Sequence, residues 1–410
     1  MLENKTKKQS INAYMWTLLV ISFGSFIYSY REMVENYNTT VLAFSYKYGF
    51  ISRGFIGSLY HVLDRILPVD IIDYDAVVNV CLIVTLMIYG IFLVFARYTL
   101  EKCKESNLVY VEAFWAFFMI IVVSTFASKR NFGRLDIFML LFSVIAVWIL
   151  MQKKCKFLYV LIIPLVAMGV MVHQGYVFMY VNMVLVLLLY LYLRQGDRVY
   201  LILFIASLIV VSALFIWFQF LSHVNGEAIV GDIIDEATKL SRRGKYHDTL
   251  IDAEILGVDL GKTEWPLHVQ NFVELPFFLI LISPFIYVGA SLASEVLKGC
   301  RDLREKIPYV IVMFGAVTTL PLFIMKIDYG RWMLAILAYY LIMLIVLVAL
   351  DDEIVIRALE NKAKWLRENK TWGFMLIIYA IVFLPLWDVR ICQLLKSISD
   401  PINEMWLHMW

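Results

Sequence analysis

Charge is what this sequence has least of. Asp, Glu, Lys and Arg make up 17% of its 410 residues and hydrophobic residues 62%, against an apolar share of roughly 45–50% in soluble domains. A water-soluble fold is excluded. The formal net charge is only +2, so the bulk composition carries no nucleic-acid footprint, and charge matters only where it is placed. Cysteine is scarce as well: Cys81, Cys103, Cys155, Cys300 and Cys392. On the topology below only Cys392 lies outside the membrane on the oxidising side, and no structural disulfide is expected. A phosphate-cradling Gly-Lys-Ser loop, a Gly-x-Ser-x-Gly elbow and a His-Glu-x-x-His helix are missing, which leaves ATP-driven transport and serine or zinc proteolysis unsupported. No Cys or His pair stands at ligand spacing, so neither a metal nor another cofactor is expected. The first apolar run, Ala13 to Tyr28, follows Lys5, Lys7 and Lys8 and ends in Ser29-Tyr30-Arg31-Glu32 without a small-residue cleavage site. It reads as a retained signal anchor.

What is present is a succession of apolar runs. A helix needs about 20 apolar residues to cross the hydrocarbon. Runs of that kind predict an all-α, polytopic transmembrane bundle of about eleven spans, at 13 to 30, 76 to 95, 108 to 127, 135 to 151, 157 to 172, 176 to 193, 199 to 221, 272 to 293, 307 to 326, 332 to 350 and 372 to 390. The stretch 157 to 193 is too long for one crossing, and His173-Gln174-Gly175 is the turn that divides it. Of the 36 Lys and Arg residues, 20 fall in the N-terminus and in loops 96 to 107, 152 to 156, 194 to 198, 298 to 306 and 351 to 371. That side is cytoplasmic, which places the C-terminus outside. The whole chain, 1 to 410, reads as one integral membrane domain.

Two outer segments are long enough to hold structure of their own. Residues 31 to 75 contain Tyr48-Gly49-Phe50-Ile51-Ser52-Arg53-Gly54 and then a mixed apolar and charged stretch to Arg65, which reads as a re-entrant or interfacial helix. In the largest loop, 222 to 271, Ala228, Ile229, Ile233, Ile234, Ala237 and Leu240 recur at helical spacing against Asp232, Asp235, Glu236 and Lys239. This predicts a helix lying on the membrane surface.

The unusual charges gather in outer turns. Between the third and fourth spans stand Lys129, Arg130, Arg134 and Asp136, cations opposing the positive-inside trend, with arginine suited to bidentate phosphate contacts. The structural alternative is a solvated turn with an Arg134 to Asp136 contact. Lys326-Ile327-Asp328-Tyr329-Gly330-Arg331-Trp332 forms a second such turn on the same face. There Gly330 lets a backbone approach a ligand, or else Asp328 caps the tenth span, Arg331 pairs with it and Trp332 joins the aromatic belt. Arg53 is a further phosphate contact or an interfacial arginine. His173 and Gln174 lie deep in apolar sequence, facing a cavity or bonded to a helix end. Together these residues make a composite outer site in which Arg53, Lys129, Arg130, Arg134 and Arg331 bind a diphosphate and Asp136, His173 and Asp328 are the catalytic candidates.

Those stretches, with Tyr48 to Gly54, Arg130 to Asp136, His173 to Gly175 and Asp328 to Trp332 at their centre, resemble a group of bacterial membrane proteins of surface-polysaccharide assembly. More broadly the layout is similar to O-antigen polymerases and ligases and to GT-C glycosyltransferases. The resemblance implies an inverting glycosyltransferase or polysaccharide polymerase in the bacterial cytoplasmic membrane, using a polyprenyl-diphosphate-linked saccharide on the outer face and working beside polysaccharide-assembly partners. In the polymerases and ligases a large late outer loop and outer arginines are implicated, here 222 to 271 and the arginines above. It departs from the GT-C pattern in the first outer loop, where Glu32 and Glu35 are the nearest counterparts of the usual catalytic acids. Two other classes remain: a lipid-linked oligosaccharide or small-molecule transporter, and a scaffold or acyltransferase built on His173.

Overall fold

The computed structural model describes residues 2–30, 33–68, 71–128, 131–152, 155–222, 227–247, 251, 269–325 and 329–383. Among the described residues all regular structure is helical. Six helices among the described residues are long and apolar enough to cross a bilayer: Thr6–Ser29, Tyr74–Lys102, Glu105–Ala127, Arg198–Leu221, Leu303–Phe323 and Gly330–Ala349. Three further apolar helices, Asp136–Leu150, Lys156–Val172 and Val181–Gln195, are shorter. The first and third have 15 residues each, about 22 Å at 1.5 Å per residue, against about 30 Å of hydrocarbon. The expected run 272 to 293 lies inside the helix Val269–Gly299, which contains Pro276 and Pro284. The run 372 to 390 begins as Lys370–Phe383, and its remainder lies outside the described residues. Against the expectation of about eleven spans, the described residues hold six full-length candidates and several shorter apolar pieces.

The stretch 157 to 193 divides at the predicted turn, where His173 is extended at φ −165 and ψ 131 after the helix Ile162–Val172. It breaks a second time at Tyr180, φ −130 and ψ −22, without a Gly or Pro to announce it. Ser143 Oγ donates to the Tyr180 carbonyl at 2.8 Å and lies 2.8 Å from the Tyr176 hydroxyl. A buried carbonyl at the break thus finds a donor from a neighbouring helix, which makes a break in apolar surroundings tolerable.

The chain divides into two compact units. The first comprises Met1–Tyr28, Leu93–Thr125 and Thr263–Trp410. In it the helices Leu108–Phe118 and Tyr329–Ala349 pack together. Trp115 is fully buried and gives its indole N–H to Thr99 Oγ1 at 2.8 Å. Tyr339, equally buried, donates to the Val312 carbonyl at 2.7 Å, so both large aromatics satisfy their polar tips inside the packing. Asp352 accepts the Ile354 and Val355 amides as N-cap of Glu353–Glu368, and it also takes the Tyr309 hydroxyl at 2.8 Å.

The second unit comprises Ser29–Phe92 and Phe126–Lys262. Its helix Asp136–Leu150 packs on Ile162–Val172 and Val181–Gln195, Arg198–Ile216 packs on the same two, and the segment 31–75, expected to be the first outer one, folds against Ile162–Val172. That segment forms Asn36–Ala43 and Gly54–Ile66. The second of these buries Gly54, Ile56, Gly57 and Tyr60 and exposes Leu59, Val62, Leu63 and Ile66, an apolar stripe at i, i+3, i+4 and i+7 spacing. Gly57 permits the packing: a Cβ there would stand 1.9 Å from the Phe44 carbonyl oxygen and 2.5 Å from that of Leu42.

The helix expected in the largest outer loop forms as Glu227–Lys239, but its cover differs from the expectation. It packs on Asn36–Ala43, with Ile233, Ala237 and Leu240 fully buried. Of the apolar stripe that periodicity assigned to a membrane surface, these three residues are covered by protein, while Ile229 and Ile234 are half-buried.

Candidate functional site

The site is built in the second unit, where residues 36–54 meet the turns at 131–136 and 173–175. Arg53 is the N-cap of Gly54–Ile66 and has φ 62 and ψ 2. A residue with a Cβ in this left-handed region costs roughly 1–2 kcal/mol, so the surroundings impose the conformation. The side chain is 8% exposed and its Nη1 donates to the Tyr37 hydroxyl at 3.3 Å. Next to it Ser52 Oγ donates to Gln174 Oε1 at 2.6 Å. This one bond ties the Ser52-Arg53-Gly54 stretch to the His173-Gln174-Gly175 turn.

The turn at 131–136 is fixed by its own backbone and by the first outer segment. Ser128 O accepts the amides of Asn131 and Phe132, and Asn38 Nδ2 donates to the Phe132 carbonyl at 2.8 Å. Gly133 adopts φ +82, and a Cβ there would come within 3.2 Å of Val34. So held, Arg134 places its guanidinium carbon 5.6 Å from the centroid of the Tyr37 ring, within cation–π range. Tyr37 therefore takes Arg53 on its hydroxyl and Arg134 on its face. Asp136 follows as the first residue of Asp136–Leu150, 3% exposed, where the helix amides favour a carboxylate.

His173 accepts the Gly175 amide on Nδ1 at 2.8 Å. In the neutral ring this leaves the proton on Nε2. His173 thus presents a hydrogen-bond donor in this arrangement, and it acts as a base only if the Gly175 bond opens. Arg53, Arg134, Asp136 and His173 all belong to the second unit. Arg331 belongs to the first, in the opening turn of Tyr329–Ala349. Its neighbour Trp332 is 3% exposed, edge-on to Phe323 with centroids 5.0 Å apart, so it packs inside the protein. Lys129, Arg130 and Asp328 lie outside the described residues. Among the described residues no group of three His, Cys, Asp or Glu side chains is placed to hold a metal ion.

Two residues of this region carry no sequence signal. Tyr37 is one of 24 tyrosines and nothing about its spacing sets it apart. Glu236 falls beside Asp232, Asp235 and Lys239 on what periodicity assigns as the polar face, yet it is 8% exposed. Its Oε2 is 2.5 Å from Lys47 Nζ and accepts the Tyr48 hydroxyl at 3.3 Å, and its Oε1 is 2.5 Å from His61 Nε2. Burial pushes this carboxyl up, but the hydrogen bonds and charges of His61 and Lys47 outweigh burial and hold it below its ordinary value. For Lys47, burial acts downward, and the Glu236 and Tyr48 contacts overcome it and raise the ammonium.

The linkage follows from the sign. A carboxyl held low in the docked state contributes stability that is whole above its ordinary pKa, roughly 4.3, and is lost as pH falls through the lowered value. Hydrogen exchange in residues 229–240, corrected for its intrinsic pH dependence, should accelerate below about pH 4. Glu236→Gln should remove that dependence, and a profile unchanged by this substitution would assign the acid sensitivity elsewhere. The chain matches no family model, and no curated protein or solved structure is similar to it.

Proposed function

We propose that the chain is a membrane glycosyltransferase or polysaccharide polymerase of the kind found in bacterial surface-polysaccharide assembly, taking its sugar from a polyprenyl-diphosphate-linked donor on the outer face of the cytoplasmic membrane. The observation that carries this reading is the meeting of Arg53 and Arg134, from stretches about 80 positions apart, on the single side chain of Tyr37. Guanidinium groups gathered in this way suit a diphosphate, whose charge grows as the glycosidic bond to it breaks. Chemically, the acceptor oxygen attacks the anomeric carbon, the bond to the lipid diphosphate breaks, and the acceptor proton passes to a carboxylate, for which Asp136 is the candidate in the same unit. His173, whose neighbour Gln174 is bonded to Ser52, is the other catalytic candidate. The exposed stripe Leu59, Val62, Leu63 and Ile66 takes the lipid of the outer leaflet beside the site.

A second reading, a transporter of lipid-linked oligosaccharide or of a small molecule, draws on the helix breaks at His173 and Tyr180, since interrupted helices at membrane depth line cavities. The leaflet in which substrate accumulates separates the two. In cells making Arg134→Gln at normal protein level, a transferase leaves lipid-linked saccharide on the outer face, open to a periplasmic probe. Accumulation on the cytoplasmic face would establish the transporter instead.

A further inference from the structure

We infer that the segment Glu236 to His247 of the large outer loop completes the ligand site: His247 contacts the phosphate-bearing ligand held by Arg53 and Arg134, and Glu236 is the positioning residue that keeps it there. The inference rests on the diphosphate reading of the Tyr37 cluster and extends it to residues without a sequence signal.

The segment is pinned to the first outer segment at successive points. Glu236 is held by Lys47, His61 and Tyr48. Beyond the helix end, Ser241 Oγ donates to Asn36 Oδ1 at 3.0 Å. Gly244 turns the chain at φ +60, and the Lys245 amide returns to Ser241 Oγ at 3.3 Å. The His247 amide then donates to Thr40 Oγ1 at 3.0 Å. Asn36 and Thr40 are one turn apart on the same helix, and Tyr37 stands between them in the sequence. The result is that the His247 ring meets the Tyr37 ring edge-on, centroids 5.3 Å apart and planes at 86°.

One phenol thus meets nitrogen-bearing groups from three parts of the chain: Arg53 at the hydroxyl, Arg134 over the ring and His247 in a T-shaped ring contact. Each can donate to an anion. Two guanidinium groups meet at this ring, and a ligand carrying more than one negative charge gains most from the arrangement. The chemical class is a diphosphate. The imidazole adds a third direction of donation, which a single phosphate fills less well than two linked ones. The four contacts that Glu236 and Ser241 make to residues 36–61 hold the backbone, which distinguishes their role from that of His247.

The test uses the full chain in nanodiscs, with inorganic pyrophosphate as probe and calorimetry and hydrogen exchange as readouts. His247→Gln should weaken pyrophosphate binding about tenfold, the worth of one charge-assisted hydrogen bond, and leave residues 229–240 protected. Glu236→Gln should weaken binding by a similar factor and also lose that protection, a pairing of effects expected of a positioning residue. Wild-type affinity in His247→Gln, which leaves the Glu236 contacts intact, would overturn the inference. So would unchanged affinity in Glu236→Gln once the segment is released. An unaltered protein that binds no pyrophosphate would overturn the diphosphate reading itself. Discs of phosphatidylcholine and discs containing phosphatidylglycerol identify the source of the phosphate. Equal affinity in both supports a diphosphate site, and binding abolished by the anionic lipid would show a headgroup site and overturn the assignment.

Discussion

Gly57→Ala should leave the protein largely unfolded or aggregated on extraction, with a loss of at least about 3 kcal/mol, the upper end of overpacking costs. The added carbon would sit 1.9 Å from one backbone oxygen and 2.5 Å from another. Backbone atoms of a neighbouring helix end cannot rotate aside as a side chain can. The same methyl at Gly54 would meet the ring of Tyr46 at 2.8 Å, and that ring can shift, so Gly54→Ala should cost less. At Gly90, inside the helix Tyr74–Lys102, nothing lies within 4 Å of the added carbon, and alanine should be neutral or gain up to about 1 kcal/mol of helix propensity. Thermal unfolding of the three variants in one detergent gives the order. If Gly57→Ala unfolds with Gly90→Ala, the close approach of Gly54–Ile66 to residues 42–44 is wrong, and the placement of Arg53 falls with it.

Arg53→Gly should separate stability from function. Glycine adopts φ 62 freely, so the substitution relieves the roughly 1–2 kcal/mol that a Cβ costs there, partly offset by the lost hydrogen bond to Tyr37. Thermal stability should stay level or rise, while product formation, in the proposed reaction, falls by at least about a hundredfold, the cost of losing a charge-assisted contact to the leaving group. Arg53→Lys keeps the strain and the charge but loses the planar fork, and should recover little of the activity. A purely structural arginine predicts the opposite pattern, with Arg53→Gly unstable and still active. Assay per amount of membrane-inserted protein decides between them.

The positions of the helices were legible because a run of apolar residues between charges is a signal that tertiary context seldom overrides. Their lengths were not. The break at Tyr180 depends on Ser143, a residue on another helix that satisfies the opened backbone, and no local composition encodes it. The stretches around Arg53, Arg134 and His173 stood out individually since cations in outer turns and polar pairs in apolar sequence are rare. Their joining rests on Tyr37, Asn38 and the Ser52 to Gln174 bond, ordinary residues that reach Arg134, Phe132 and Gln174 across about 90 to 120 positions of sequence. Glu236 was hidden for a related reason. Periodicity assumes one buried face per helix, whereas this helix buries a carboxylate beside its apolar stripe because Lys47 and His61, 189 and 175 residues earlier, come to meet it.

The central claim is that the Arg53–Tyr37–Arg134 cluster holds the diphosphate of a lipid-linked sugar while that sugar is transferred. The direct measurement is a reconstitution of the purified chain in vesicles with a labelled polyprenyl-diphosphate saccharide and its acceptor, following both products at once. Free polyprenyl diphosphate should appear in step with new glycosidic bonds, one for one, and both should vanish together in Arg134→Gln. Movement of intact lipid-linked saccharide between leaflets with no bond broken, at a rate that Arg134→Gln abolishes, would contradict transfer and make the chain a carrier.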